Sequence, residues 1–240
     1  MQVGLASFAC ENGNLSFNMA QIERAMREVR GKADLLCFGE AYLQGFHSLC
    51  WDYTVDKKMA LELNSEAVGQ LCQWSKAYGV ALLTGYIEKE KECLYSSCIV
   101  IEDGRILCNY RRITKGWKEY RKTDGHYKEG DKTEKFTFHN HEIRLALCGD
   151  MWDCPERFKT EQLLIWPVYV NFTVDEWNHR EIDAYAKQAS SAAKHVLMIN
   201  PIDDERKNHG GAFYFRGGKI IDRLPFDREG ILIVDIEDAV

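Results

Sequence analysis

Three side chains with different chemistry follow apolar runs at separate points of the chain. Glu40 comes just after the apolar run 35–38, Cys148 ends the run that begins at residue 143, and cations gather in segment 110–118. A carboxylate, a thiol and a cation could serve as a base, a nucleophile and an electrostatic stabiliser. These positions are therefore the first candidates for a catalytic site.

Each candidate also has a plainer structural interpretation. A cysteine at the tip of a buried strand, followed by a glycine that permits a sharp turn, is placed as a nucleophile would be. Most free cysteines, however, behave as small apolar residues, and this chain has nine of them. Glu40 could be an exposed acid at a strand end, and segment 110–118 could be a solvated basic edge.

The elements that must position these residues alternate between β and α patterns. Helices are predicted over 15–29, 65–78 and 176–194 from apolar spacing of three and four residues. Asp103-Gly104 is a hairpin signal, so the sheets should be mixed, with helices covering them. Strands are predicted over 2–9, 34–38, 80–86, 94–101, 106–113, 136–138, 143–148, 163–170, 196–200, 212–216, 219–224 and 231–236.

Composition excludes several classes of protein. The 240 residues are 45% apolar and 12% aromatic, which supports one large core and a single domain over residues 1–240. A formal net charge of −6 argues against nucleic-acid or anionic-membrane partners. Apolar runs are strand-sized, the first residues lack a secretory pattern, and the cysteine count is odd, so we expect a soluble, cytosolic protein.

Metal and phosphate sites are not indicated by the motifs. The spacing of Cys148 and Cys154 and the alternation of His139 and His141 do not match zinc-ligand patterns. The glycine pairs at 210–211 and 217–218 lack the spacing of a phosphate loop. We therefore expect no metal and no cofactor.

The three candidate segments together resemble the nitrilase superfamily of carbon-nitrogen hydrolases. That family has a catalytic glutamate after a strand, a Tyr-Arg-Lys segment with a catalytic lysine, and a Cys-x-Asp segment with the nucleophile. The corresponding residues are Phe38-Gly39-Glu40, Tyr110-Arg111-Arg112, and Cys148-Gly149-Asp150 followed by Pro155-Glu156. The resemblance runs from residue 2 to the last strand.

One position departs from the family pattern. Arg112 aligns with the catalytic lysine, and the nearest lysine is Lys115, so either could supply the cation. An arginine keeps its charge and can stabilise an oxyanion, but it is a poor proton donor or acceptor. Many members also carry a second glutamate before the cysteine, and its possible equivalents are Asp124 and Glu129.

The resemblance implies an α/β fold, a four-layer α-β-β-α sandwich with two mixed β-sheets, in a homodimer. It implies that Cys148 attacks an amide carbon to form a thioester, with Glu40 as base and Lys115 or Arg112 as cation. The substrate would be a small amide, N-carbamoyl compound or nitrile. Residues just after the strand ends are candidates for lining its pocket: Tyr42, Trp117, Trp152, Asn171 and Phe172.

Two other functions remain possible at this point. The arginine at position 112 could mark a catalytically inactive nitrilase-like protein that binds a ligand or acts as a scaffold. An unrelated Cys-His hydrolase would need a histidine near Cys148, and His195 and His209 are the candidates.

Overall fold

Two six-stranded mixed sheets form the centre of the computed structural model, which describes residues 1–203 and 208–236. The strands are β1 (Gln2–Ser7), β2 (Ala9–Cys10), β3 (Leu35–Cys37), β4 (Ala81–Glu90), β5 (Cys93–Glu102), β6 (Arg105–Arg111), β7 (Lys135–Phe138), β8 (His141–Leu145), β9 (Thr160–Pro167), β10 (Ala193–Ile199), β11 (Ile202–Asp203), β12 (Ala212–Arg216), β13 (Lys219–Leu224) and β14 (Gly230–Asp235). The helices are α1 (Leu15–Val29), α2 (Tyr53–Asp56), α3 (Glu66–Tyr78), α4 (Asp150–Asp153), α5 (Val174–Glu176) and α6 (Ile182–Ser190).

The candidate catalytic segments follow strands of both sheets: β3 lies inside the first sheet, β6 at its edge, and β8 next to the edge of the second. One sheet has the order β14-β1-β3-β4-β5-β6, and the other has β13-β12-β10-β9-β8-β7. In the first sheet β1, β3 and β4 run parallel, and in the second β8, β9 and β10 do. β3 and β8 belong to different sheets, but the residues after both hydrogen-bond to the end of β9, Glu40 to Val168 and Cys148 to Pro167.

Alternation along the strands buries both faces of the first sheet. Leu35 and Cys37 point into the core between the sheets, where they join Ile143, Leu145 and other second-sheet residues. Leu36 points the other way, into a cluster with α1 and α3. Successive strand side chains face opposite sides, so continuous apolar runs are required where a sheet is covered twice. The predicted sandwich with two mixed sheets is confirmed.

Helix α1 packs on the outer face of the first sheet, and its sequence determines where it begins and which side is buried. The side chain of Asn14 accepts a hydrogen bond from the backbone N–H of Phe17 and caps the helix. Ile22, Met26 and Val29 form its buried stripe at spacings of four and three residues.

Several predicted bounds differ from the observed ones, among them those of one helix and of strand β9. The helix predicted over 176–194 is α5, a π-helical stretch Trp177–Glu181, and α6, and it ends at Ser190. Residues from Ala193 instead pair with β9 from Thr160, because the sheet satisfies their backbone groups. The strand predicted over 163–170 lies three residues earlier, at Thr160–Pro167.

None of the helices among the described residues has both the length and the apolar character that crossing a membrane requires.

Candidate active site

Glu40 lies three residues beyond the end of β3 and is fully buried. Its backbone N–H donates to the carbonyl of Val168 at 3.2 Å, which ties the turn to the second sheet. Gly85 of β4 lies against the same turn, and a Cβ there would be 2.5 Å from the Gly39 oxygen. Only glycine therefore lets β4 approach the glutamate so closely.

Cys148 lies two residues after Ala146, beyond the end of β8, on a sharp backbone turn. Its φ is +40°, in the left-handed region that non-glycine residues rarely adopt. Two hydrogen bonds hold the turn: its N–H donates to Pro167 O at 2.9 Å, and its carbonyl accepts from Trp166 Nε1 at 2.9 Å. Such strain persists only where the surroundings impose it, and it is concentrated at functional sites.

Arg112 and Glu40 form a buried ion pair. Arg112 Nη1 lies 3.0 Å from Glu40 Oε1, and its side chain is 4% exposed. Ser96 Oγ donates to the same oxygen at 2.9 Å. The other oxygen, Oε2, is buried and has no hydrogen-bond partner among the described residues. One oxygen of this carboxylate is thus held, and the other is available for chemistry.

The electrostatics of the thiol follow from this burial. Burial, and after it the negative charge of Glu40, raise the pKa of Cys148 to about 12, against the opposing effect of Arg112. The half-buried thiol also lies 3.6 Å from the carbonyl oxygen of Tyr169. Burial disfavours the charge of Arg112, but Glu40, Cys148 and Asp150 outweigh it and raise its pKa. At neutral pH the site therefore holds a neutral thiol beside a fixed cation.

Asp150 connects the cysteine turn to the segment after β6. One carboxylate oxygen accepts from Thr114 Oγ1 at 2.8 Å and from the backbone N–H of Thr114 at 3.1 Å. The other accepts from Tyr110 Oη at 2.5 Å and from Leu147 N at 2.9 Å. Burial raises the pKa of Asp150, and these hydrogen bonds oppose that rise.

Aromatic side chains pack beside the cysteine on the second sheet. Trp166 stacks on Tyr185 with ring centroids 5.3 Å apart, and Tyr185 also contacts Phe172 and the 42% exposed Trp152. Burial, followed by the charge of Cys148, raises the pKa of Tyr185, so the phenol lies within electrostatic reach of the thiol. Apolar rings of this kind can shape a small-molecule pocket.

The other predicted pocket residues occupy different surroundings. Tyr42 is buried in the cluster under α1, and its hydroxyl donates to the carbonyl of Ala9. Trp117 is buried in a third cluster, 6.2 Å from the ring of Tyr127. Asn171 is exposed just before Phe172.

Comparisons with known proteins test the family resemblance. A family model for carbon-nitrogen hydrolases matches residues 3–240. The chain belongs to the carbon-nitrogen hydrolase family. The resemblance to the nitrilase superfamily is therefore confirmed.

Relatives of this carbon-nitrogen hydrolase differ in length. It is 23% identical over 230 residues to an (R)-stereoselective amidase from a Pseudomonas species, covering 95% of this chain and 79% of the amidase. It is 23% identical over 249 residues to a glutamine-dependent NAD(+) synthetase of Thermotoga maritima, covering 99% of this chain but 42% of the synthetase. The fold matches a solved amidase of a Nesterenkonia species with a TM-score of 0.78 and 17% identity, covering 99% and 90% of the two chains.

The two candidate cations of this carbon-nitrogen hydrolase lie in different places. Arg112 contacts Glu40, whereas the exposed Lys115 places its ammonium 5.4 Å from the centroid of the Tyr120 ring. What Lys115 brings to the site is its carbonyl oxygen, which accepts from Arg112 Nη2 at 3.2 Å.

The two candidate second carboxylates also differ. Asp124 is exposed and bonds to the backbone and ring of His126. Glu129 accepts from Tyr120 Oη and pairs with the nearly buried Lys118 at 3.0 Å. Burial favours the neutral form of Glu129, but its bonds to Tyr120 and Lys118 outweigh this and lower its pKa. The N–H of the next residue, Gly130, donates to the carbonyl of Arg112 at 2.8 Å, so Glu129 adjoins the site.

The histidines named for a Cys-His hydrolase have other partners. His195 Nδ1 lies 2.7 Å from Tyr214 Oη, and His209 Nδ1 lies 2.7 Å from Asp227 Oδ1. Within residues 1–203 and 208–236, no group of three or more His, Cys, Asp or Glu side chains is arranged to hold a metal.

Two residues that hold the site were not singled out from the sequence. Ser96 contacts Glu40, which lies 56 positions away in the sequence, and Thr114 contacts Asp150, which lies 36 positions away. A serine in a strand carries no local signal for such a contact. Thr114 is part of the cationic segment, but the sequence motif indicates only its charged neighbours Arg112 and Lys115.

Proposed function

We propose that the chain hydrolyses the carbon-nitrogen bond of a small amide or N-carbamoyl compound, with Cys148 as nucleophile, Glu40 as base and Arg112 as cation. One observation carries this proposal. Gly149, in the strained turn of Cys148, packs against Arg112, and Arg112 lies 3.0 Å from the buried carboxylate of Glu40, which is held through one oxygen and has its second oxygen unpartnered within the described residues.

The first half of the proposed reaction forms a thioester. Glu40 Oε2 takes the thiol proton as the sulfur of Cys148 attacks the carbonyl carbon, and the C=O π electrons move to oxygen. When the C=O bond re-forms, the C–N bond breaks and Glu40 returns the proton to the leaving nitrogen. Ammonia or an amine departs, and the acyl group stays on sulfur.

The second half consumes one water molecule. Glu40 accepts a proton from the water, whose oxygen attacks the thioester carbon. The C–S bond then breaks, and the sulfur takes the proton back from Glu40. The products are the original enzyme and a carboxylic acid, or a carbamic acid where the substrate is an N-carbamoyl compound, so atoms and charges balance over the cycle.

Arg112 and backbone N–H groups would stabilise the oxyanion of each tetrahedral intermediate. Losing one such donor typically costs about 3 to 4 kcal/mol of activation free energy. Since arginine does not release a proton at accessible pH, proton transfer is left to Glu40.

The first experiment compares alkylation rates of all nine cysteines by iodoacetamide between about pH 5 and 9, resolved by peptide mass spectrometry. We expect Cys148 to react far faster than Cys72, another half-buried cysteine, and to slow in Glu40→Gln. If Cys148 reacts like an ordinary thiol, the hydrolase proposal is contradicted.

Turnover is tested by measuring ammonia and carboxylate release from primary amides, N-carbamoyl amines and nitriles. Cys148→Ala should abolish activity on any substrate found, whereas Cys72→Ala should retain it. Residual hydrolysis by Cys148→Ala would count against the thioester scheme. Trapping the acyl group with hydroxylamine would identify the intermediate.

The predicted substrate contacts of Tyr42, Trp117, Trp152, Asn171 and Phe172 stay predictions. Trp152 and Phe172 contact Tyr185, which stacks on Trp166, and the indole N–H of Trp166 donates to the carbonyl of Cys148; these contacts favour Trp152 and Phe172 for this role. Lys115 stays the alternative cation and Glu129 the better placed second carboxylate, since it adjoins Arg112.

A ligand-binding or scaffold protein is the second candidate, and the arginine at the lysine position favours it. A cytoplasmic homodimer is also part of the proposal. The location is supported by nine free cysteines, and the dimer rests on the family resemblance. Sedimentation velocity would test the dimer.

A further inference from the structure

Three nitrogens of Arg112 each have their own acceptor in a different direction. Nη1 donates to Glu40 Oε1 at 3.0 Å, Nε to Thr114 Oγ1 at 3.2 Å, and Nη2 to Lys115 O at 3.2 Å. A guanidinium presents its donors in a fixed planar fork, whereas an ammonium is a single point at the end of a chain. A lysine at this position could not reach all three acceptors.

Gly149 leaves the space that the guanidinium occupies. A Cβ at this glycine would lie 2.2 Å from Arg112 Nη2 and 3.3 Å from Cζ. The φ of Gly149 is −63°, which any residue can adopt, so its backbone conformation does not require glycine. The close approach of Arg112 is what excludes a side chain.

Thr114 is oriented to receive the guanidinium. Its hydroxyl proton is used by Asp150 Oδ1 at 2.8 Å, so a lone pair is left for the Nε–H of Arg112. Asp150 also accepts from the backbone N–H groups of Thr114 and Leu147. The same carboxylate thus joins the arginine segment to the cysteine turn.

We propose that Thr114, Gly149 and the Lys115 carbonyl form a guanidinium cradle, which makes arginine, and not lysine, the cation with which this site works. Thr114 and Gly149 are then positioning residues that act through Arg112. This inference rests on the proposed hydrolysis and deepens it, because it explains the departure from the family motif as a matched set of residues.

Arg112→Lys restores the family residue and is the first test. We expect it to lower the rates of Cys148 alkylation and amide hydrolysis by at least about tenfold, because two or more charge-assisted hydrogen bonds are lost. A rate equal to or above that of the unaltered protein would overturn the cradle.

Thr114→Val and Thr114→Ser separate the effect of the hydroxyl group from the effect of side-chain volume. Valine keeps the shape but removes the acceptor, and serine keeps the acceptor. We expect Thr114→Val to lower kcat about tenfold with little change in KM, and Thr114→Ser to restore most of the rate. Equal rates for the two variants would contradict the positioning role.

A double-mutant cycle tests the fit between Gly149 and Arg112. Gly149→Ala should strongly slow Cys148 alkylation when Arg112 is present, because the methyl group displaces the guanidinium. In the Arg112→Lys background the same change should have little further effect, since lysine leaves that space empty. Strictly additive losses would contradict the cradle.

Thermal unfolding midpoints of the same four proteins test the cradle independently of the proposed activity. If the protein has no fast-reacting cysteine, the hydrolase proposal fails, yet the midpoints still report the contact. Gly149→Ala should then lower the midpoint by more in the Arg112 protein than in Arg112→Lys. Equal shifts would overturn the cradle whatever the activity.

Discussion

Two glutamate-arginine pairs lie on opposite faces of the first sheet, with neighbouring serines of β5 and neighbouring arginines at the end of β6 as their partners. Ser96 and Arg112 contact Glu40 on the face toward the second sheet, and their neighbours Ser97 and Arg111 contact Glu88. Both carboxylates are buried. Successive strand residues alternate between faces, so the two neighbouring serines point to opposite sides of the sheet, and so do the two neighbouring arginines. Each carboxylate therefore has one serine and one arginine as partners.

The pairs differ in how completely the carboxylate is hydrogen-bonded. Glu88 Oε2 accepts from Ser97 Oγ at 2.6 Å, Asn109 Nδ2 at 3.0 Å and Arg111 Nε at 2.9 Å. Its Oε1 accepts from Arg111 Nη2.

In Glu40, both partners share Oε1, and Oε2 has none within the described part of the chain. The same residue types thus make a closed structural bridge on one face and a carboxylate with a free oxygen on the other. An unpartnered buried polar atom costs free energy, so its presence points to use in chemistry.

The largest expected difference between the pairs is in activity. Glu40→Gln should lower amide hydrolysis and Cys148 alkylation by about 10² to 10⁴-fold, the usual contribution of a general base. Glu88→Gln is the matched control and should change the rate per folded molecule by less than about threefold. Comparable losses in both variants would remove the distinction.

Stability should separate the two pairs much less than activity does. Each substitution removes the charged partner of an arginine, so Glu40→Gln and Glu88→Gln should each cost about 3 kcal/mol, in the range for a broken buried ion pair. Urea unfolding followed by tryptophan fluorescence would measure both. If Glu88→Gln cost much less than Glu40→Gln, the pair of Glu88 and Arg111 would not be the structural bridge described above.

The sequence predicted the sites of Glu40 and Cys148 because each follows an apolar strand and adjoins a glycine. The strands and the mixed character of the sheets were predictable because strand and hairpin patterns are local, whereas the sandwich of two sheets was implied by the family resemblance. The helix over 176–194 was placed too far toward the C-terminus, because its periodicity does not show that Ala193 pairs with Thr160. Pairing across the sheet is a long-range interaction that no local pattern contains.

The choice between Arg112 and Lys115 also depended on long-range contacts. Both cations stand in one segment, and only the positions of Glu40, Gly149 and Asp150 separate a buried guanidinium from an exposed ammonium. The partners Ser96 and Ser97 look alike in sequence, and strand alternation assigns them to opposite faces only once the register of β5 is known.

Replacing Glu40 or Glu88 should also have different effects on the pH dependence of Cys148 alkylation. Burial, the largest cause of the raised pKa of Cys148, persists when Glu40 is replaced, so without a base the thiol should stay protonated at neutral pH and its thiolate fraction should grow about tenfold per pH unit. Glu40→Gln should show this slope between about pH 7 and 9. The unaltered protein and Glu88→Gln should show a much flatter profile, because the carboxylate removes the proton during attack. Parallel slopes in all three would contradict a base at Glu40.

The two serines give the smallest and most closely matched contrast. Ser96→Ala removes one of two donors to Glu40 Oε1. It should slow Cys148 alkylation about tenfold and lower the free energy of unfolding by about 1 kcal/mol. Ser97→Ala removes a donor to Glu88 and should cost about the same stability while leaving the alkylation rate unchanged. Because the substitution is identical and the residues are adjacent, a shared effect on folding cannot produce a difference in rate. If Ser97→Ala slowed the thiol as much as Ser96→Ala, the closed bridge on the outer face would be part of the same functional unit as Glu40.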